Sequence, residues 1–253
     1  MWTWLACTPG SSPVEGPPPV APADPTGIET GAAPPDPTEP TDPTEPDEEP
    51  LPVVFVHGIN GSADNWSEVI AHLIEAGWPA DRLYARTFDD PEWGCNVDNA
   101  ATIDAWVGAV LAETGAPKVH LVAHSMGTLS SRYYVKNLGG TEVVRTYATL
   151  GGMHHGLTSS CSPDFPFKPC VWDEICATGE FVTQLNDAPS TPGELNWVSL
   201  YGTADETVPN DSSYLEGAEN IRIEGVEHDG DNGLQSDEAT FVELLRVLSY
   251  PTP

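Results

Sequence analysis

Apolar residues fall along the chain in two alternating patterns. Short continuous runs rich in β-branched side chains are followed by longer stretches with helical spacing. Pro52 to Val56 is the first run, the mark of a strand buried on both faces. After the small-residue loop His57-Gly58-Ile59-Asn60-Gly61-Ser62, the residues Trp66, Val69, Ile70, Leu73 and Ile74 recur at helical spacing up to Gly77. Leu83 to Phe88 predicts a second strand, and Ile103, Trp106, Val107, Val110 and Leu111 predict a helix ended by Gly115 and Pro117. Val119, Leu121 and Val122 mark a third strand, followed by a helix carrying Leu129, Tyr133 and Leu138 and closed by Gly139-Gly140. Arg145–Leu150, Trp197–Tyr201 and Asn220–Glu224 complete a set of six strands. The last helix carries Phe241, Leu244, Leu245 and Leu248, with Ser236 as its expected N-cap and Asp237 and Glu238 in its first turn. Residues 153–196 break the rhythm with prolines, cysteines and one helical patch at Phe181–Asn186, as an insertion or substrate-side loop does.

Strands separated by helices in this order specify an α/β domain, a mostly parallel sheet covered on both faces. Its ligand site belongs at the carboxyl ends of the strands. That domain is expected over residues 51–253. Residues 1–50 hold more than half of the 26 prolines and ten acidic residues with no Lys or Arg, so they cannot bury enough apolar surface to fold. The repeats Asp36-Pro37-Thr38-Glu39-Pro40 and Asp42-Pro43-Thr44-Glu45-Pro46 read as an extended, self-repelling tether. The whole chain carries a formal charge of -30, which argues against nucleic acid and anionic membrane surfaces as partners.

No run reaches the roughly 18 apolar residues of a membrane span. Met1 to Cys7 is too short for a full signal peptide, yet Leu5-Ala6 before Cys7 reads like the end of a bacterial lipoprotein signal. That reading places the protein outside the cell, secreted or held at the surface by a lipid anchor on Cys7. Cys95, Cys161, Cys170 and Cys176 suit two disulfides in an exported protein, and at least two of the last three are expected to staple their shared segment. Four cysteines allow three pairings, and no pair has the C-x2-C spacing of a zinc site.

Candidate chemistry centres on Ala123-His124-Ser125-Met126-Gly127, a strand, a sharp turn and a helix with serine at the apex. Small residues two positions either side of Ser125 let strand and helix approach, although Ala123 departs from the first glycine of G-x-S-x-G. A serine hydroxyl is a weak nucleophile and needs a base oriented by a third group. Asp205 follows the fifth strand and His228 the sixth, so Ser125, Asp205 and His228 stand in the order Ser-Asp-His. Rival bases are weaker. His154 and His155 have no acid after them in the right order, His124 cannot reach Oγ from its own turn, and His57 braces the loop. His72 and His120 fall inside a helix and a strand. Glu206 and Asp211 are substitutes for the acid, while Asp229 is a solvated neighbour of the base. Two N–H groups are needed for an oxyanion, and Met126 and Ile59 are placed to supply them.

The segments VVFVHGING, ADRLYARTFDD, TGAPKVHLVAHSMG, YYVKNLGG and TLGG resemble the small lidless bacterial lipases of the Bacillus lipase A type, lipase class 2, in the α/β-hydrolase superfamily. The alanine at the start of the elbow is a habit of that family. The likeness extends through SLYGTADETVPN and GVEH. It implies a minimal α/β-hydrolase fold, Asp205 and His228 as acid and base, and Ile59 and Met126 as oxyanion donors. It also implies a metal-free triacylglycerol lipase or esterase, its serine left accessible to small esters and lipid aggregates. The acidic loops leave a structural calcium open, without any recognisable calcium-loop motif. A polyester hydrolase or acyltransferase with the same triad is the alternative, and a non-catalytic surface module the competing class. Trp66, Met153, His154, Leu157 and Phe165 are the expected substrate contacts, and a monomer at a lipid–water interface is the expected working form.

Overall fold

The structure, a computed structural model, describes residues 49–161 and 169–249. The expected tether, the lipid anchor on Cys7 and the substrate contact Phe165 lie outside the described residues. Six strands form one sheet: β1 Val53–Val56, β2 Leu83–Arg86, β3 Val119–His124, β4 Val144–Leu150, β5 Asn196–Gly202 and β6 Glu219–Ile223. Their spatial order is β2-β1-β3-β4-β5-β6, and every pairing is parallel. This is the minimal α/β-hydrolase sheet expected from the sequence.

Parallel strands need crossover helices, and the apolar periodicity decides which face each helix covers. Side chains alternate along β1. Val53 and Phe55 face a cluster with Trp66, Val69 and Leu73 and, from the last helix, Phe241, Leu244 and Leu248. Val54 and Val56 face the opposite cluster with Ala100, Ile103, Val107, Val110, Tyr134 and Val135. Thus α1 (Ser67–Glu75) and α8 (Glu238–Ser249) cover one face, and α2 (Asn96–Thr114) and α3 (Gly127–Asn137) cover the other. Gly115 ends α2 in the left-handed region at φ 68°, a conformation that favours glycine.

Three expectations need correction. The cap of α8 is Asp237 rather than Ser236, since Asp237 Oδ1 accepts the Thr240 N–H at 3.0 Å. Trp66 is not a surface residue. It ends the 3₁₀ turn Ala63–Trp66, fully buried, with its ring 5.0 Å from that of Phe55. Its spacing to Val69 and Leu73 puts it on the inward side of the helical run, so core packing claims it. Residues 153–196 are also more ordered than a loop with one helical patch. They carry a 3₁₀ turn (Thr158–Ser160), α5 (Cys170–Ile175) and α6 (Glu180–Leu185). Short helices also occur at α4 (Gly140–Val143) and α7 (Asn210–Ser213).

The inserted helices pack on the elbow helix through a third apolar cluster, in which Met126 and Leu129 meet Met153, Val171, Ile175, Val182, Leu185 and Val208. The cysteines pair as Cys95–Cys170 and Cys161–Cys176, with Cα atoms 5.4 Å and 4.7 Å apart. The second bridge staples the segment to itself, as expected, and the first ties it to the start of α2. Beside that tie the Glu174 carboxylate accepts the Asn96 N–H, so an acid from α5 caps the N-terminus of α2.

Candidate active site

Strand β3 delivers the chain to Ser125 at the carboxyl edge of the sheet, and α3 begins two residues later. Ser125 sits at φ 54°, a left-handed conformation that costs a non-glycine residue energy and holds a functional side chain in a fixed direction. Its N–H donates to the Leu150 carbonyl at 3.0 Å, and its own carbonyl accepts from Thr128 Oγ1 at 2.6 Å. The small residues around it have a steric cause. A Cβ on Gly127 would collide with the His57 carbonyl, and one on Gly58 would stand 2.8 Å from the Ser125 Cβ. The loop after β1 therefore lies directly against the elbow.

His228 Nε2 is 2.8 Å from Ser125 Oγ, and His228 Nδ1 is 2.7 Å from Asp205 Oδ2. The carboxylate can only accept, so Nδ1 carries the proton and Nε2 presents its lone pair to the serine hydroxyl. Asp205 is held in turn by the N–H groups of Thr207 and Val208, which donate to Oδ1 at 2.9 and 2.8 Å. Its side chain is fully buried, and His228 is 4 % exposed. Glu206, Asp211 and Asp229 are all exposed and take no part in this chain. A Cβ at Gly151, itself at φ 55°, would stand 2.9 Å from His228 Nδ1, so the glycine after β4 leaves room for the imidazole. The small residues that follow the fourth strand in TLGG are the one signal for that position in the sequence.

The Ile59 and Met126 N–H groups have no hydrogen-bond acceptor among the described residues, and the loop that carries Ile59 packs on the elbow. His57 braces that loop. Its Nδ1 donates to the Gly58 carbonyl at 2.7 Å, its Nε2 accepts the Phe88 N–H at 3.1 Å, and its burial lowers its pKa. Met126 and Met153 belong to the third apolar cluster, and Ile59 and Leu157 pack against it. His154 does not join them. It is fully buried, bonded through Nε2 to Thr149 Oγ1 at 3.1 Å, and burial drives its pKa well below the ordinary histidine value. A side chain so enclosed makes no contact with a ligand entering from solvent, which corrects its expected role. Ser125 is 4 % exposed.

One residue of the site was weighed in the sequence only as a rival base, and the structure gives it another place. His124 Nε2 lies 3.1 Å from the His228 backbone carbonyl, and the two rings are 4.6 Å apart. Its burial beside His228 lowers its pKa to about 3. Deeper in α3, Arg132 is fully buried and donates to Asn186 Oδ1 at 2.9 Å and to the His154 and Ser190 carbonyls at 3.4 and 3.1 Å. One turn on, Lys136 Nζ donates to the carbonyls of Leu185, Asp187 and Pro189 at 2.8, 2.9 and 3.0 Å. The elbow helix thereby grips the end of the inserted segment. Among the described residues no group of three His, Cys, Asp or Glu gathers as metal ligands.

Such a chain of groups can move a proton from a hydroxyl to an imidazole while a buried carboxylate steadies the ring. Among curated proteins, triacylglycerol lipases of Pseudarthrobacter phenanthrenivorans and Burkholderia plantarii are each 32 % identical over 114 residues, 42 % of this chain. The match covers 34 % and 30 % of their lengths, so the chain spans about a third of the curated relatives it matches. Among solved structures, the mature form of a Bacillus licheniformis lipase superposes with a TM-score of 0.64 at 20 % identity, over 83 % of this chain and 96 % of that one. A lipase of Aspergillus fumigatus superposes with a TM-score of 0.67 at 16 % identity, over 81 % of this chain and 54 % of that one. At those identities the likeness shows the α/β-hydrolase fold. The sequence profile of the Lipase (class 2) family matches residues 50–240, nearly the whole of the folded part, and the chain belongs to that family.

Proposed function

We propose that the protein is a serine carboxylic ester hydrolase working through an acyl-enzyme on Ser125. The observation that carries the reading is the unbroken chain from Ser125 Oγ to His228 to the buried Asp205, at 2.8 and 2.7 Å. Ser125 Oγ attacks the ester carbonyl carbon as its proton passes to His228 Nε2. The carbonyl π electrons move onto oxygen, which the Ile59 and Met126 N–H groups stabilise. Collapse re-forms the carbonyl and expels the alcohol, which takes the proton back from His228. Water then repeats the two steps on the acyl-enzyme and releases the acid. Asp205 keeps the imidazole in the tautomer that accepts at Nε2 and compensates its charge when it is protonated.

The substrate class is that of acylglycerols and shorter esters, supported by the family and by the apolar cluster that Met126 and Met153 form at the elbow. Two disulfides suit an oxidising compartment, which supports a secreted or surface-held protein whose residues 1–50 serve as a tether. The test is Ser125→Ala in the full chain, assayed on 4-nitrophenyl esters of increasing acyl length. Hydrolysis should fall by at least about 10⁴-fold with the thermal transition unchanged, as removal of a triad nucleophile does elsewhere. A folded variant that keeps its activity overturns the reading.

A further inference from the structure

The base sits on an insecure support. His228 lies between β6 and α8 on a loop whose outer half, residues 229–232, is exposed. That outer half is closed on itself, with the Glu227 N–H donating to the Asn232 carbonyl and the Gly233 N–H to the Gly230 carbonyl. An imidazole must be held within a fraction of an ångström to serve a hydroxyl, since small displacements of reacting groups cost large factors in rate. Something from the sheet has to fix the main chain of His228 itself, and the residue that does so is His124, the neighbour of the nucleophile.

We propose that His124 is a positioning residue for the base, fixing the His228 main chain through its Nε2–H and seating the His228 ring against its own. The inference rests on the proposed roles of Ser125 and His228. A carbonyl oxygen accepts only, so the 3.1 Å contact assigns the His124 proton to Nε2. Ser125 and His228 are then joined twice, once through Oγ and Nε2 and once through the backbone that carries each side chain. The ring contact adds an electrostatic condition. When His228 holds the serine proton it is a cation 4.6 Å from the His124 ring, so a second cation there would oppose the proton transfer. Burial, with the His228 charge as a second cause, keeps His124 neutral down to about pH 3, and the Asp205 charge, which acts the other way, is the smaller influence. His124 therefore stays a neutral donor while the proton passes between Ser125 and His228.

The experiment compares His124→Phe, which keeps an aromatic ring without the donor, with His124→Gln, whose side-chain amide can donate from the same reach. Ser125 labelling by a fluorophosphonate reads the triad without needing the natural substrate. Oγ bonds to phosphorus, fluoride leaves with the P–F electrons, and the proton passes to His228. Expected is a fall of about tenfold in both the labelling rate and kcat for His124→Phe, with KM within about twofold, and recovery to at least about half of wild type in His124→Gln. Folding is followed by thermal melting. Should the phenylalanine variant not fold, His124→Leu takes its place against His124→Gln. A folded ring variant that labels at the wild-type rate overturns the proposal, and so does a glutamine variant that falls as far as the donor-free one. Ser125→Ala in parallel separates the levels: labelling in that variant defeats the underlying reading, whereas its loss beside an unaffected His124→Phe defeats this inference alone.

Discussion

The sheet with its elbow and the segment from Gly151 to Leu195 are held together by different means. In the sheet, β1, β3, β4 and β5 are paired on both sides by parallel ladders, and their apolar side chains alternate between two large clusters. Among its described residues the segment has no strand of its own, and its two longer helices are six residues each. It is fixed by two disulfides, by the Glu174 carboxylate on the start of α2, and by Arg132 and Lys136 gripping main-chain carbonyls. A buried Arg whose charge is satisfied by carbonyls and an amide is an unusual anchor, and burial lowers its pKa to about 10, still protonated at neutral pH. Where backbone regularity is missing, covalent bonds and long cationic side chains take over its role. Both regions meet at the elbow helix, one supplying the hydrogen-bonded chain Ser125–His228–Asp205 and the other most of the third apolar cluster.

If that division is right, cutting a cross-link should damage the segment far more than the sheet. The largest effect is expected from Cys95→Ser/Cys170→Ser. This bridge joins residues 75 apart in sequence, whereas Cys161–Cys176 spans 15. Chain-entropy arguments give about 4.5 kcal/mol for a loop of the first size and about 3 kcal/mol for the second. Guanidinium unfolding should rank the two double variants in that order. Limited proteolysis of the weaker one should cut first between residues 151 and 195. Equal losses, or first cuts in the sheet-side loops, break the comparison.

The same contrast governs how far the molecule could be read from its sequence. Strand count, parallel topology, the elbow and the Ser-Asp-His order were legible because each rests on a local pattern: β-branched runs, helical spacing and small residues at a turn. The disulfide pairing was not legible, because four cysteines carry no local mark of their partners. Nor was the burial of His154, which depends on α3 presenting Arg132 to a loop more than 50 residues further on. The carbonyl contact of His124 across 104 residues left no trace either, since the residue reads simply as the end of an apolar strand.

Buried histidines give a second, smaller test, because they lie in both regions. Burial, helped by the Arg145 charge, lowers the pKa of His120 in β3 to about 4, and burial near Arg132 and His155 holds that of His154 well below 6.5. A histidine with a depressed folded pKa contributes stability that is complete above its unfolded pKa, about 6.5. That stability is lost as pH falls toward the folded pKa, because only the unfolded chain takes up the proton. For His120 this should cost about 1.4 kcal/mol per pH unit between about pH 6.5 and pH 4, and His154 should lose stability in the same direction as pH falls below about 6.5. His120→Gln and His154→Gln should each flatten the acid limb of the stability curve by one proton. For His154→Gln, proteolysis of the segment should lose its acid sensitivity as well. A global change alone from both variants denies that the segment opens separately.

The smallest effect is expected at the start of α8, and it separates the two ways of reading a helix from sequence. Ser236 has the residue type of an N-cap and stands before an acidic first turn, yet Asp237 Oδ1 is the group that accepts the Thr240 N–H. The choice follows from where the helix must begin for Phe241, Leu244 and Leu248 to face the sheet. A capping side chain bonds to an N–H two or three residues on, and Asp237 stands three before Thr240. Asp237→Ala should then cost about 1 kcal/mol, with about a tenth of that from Ser236→Ala. The carboxylate also favours the positive end of the helix dipole, so Asp237→Asn should lose less than Asp237→Ala. Because α8 is also secured by its packed apolar face, neither variant should alter ester hydrolysis. A larger loss from Ser236→Ala would move the start of the helix back by one residue and turn its apolar stripe away from the sheet.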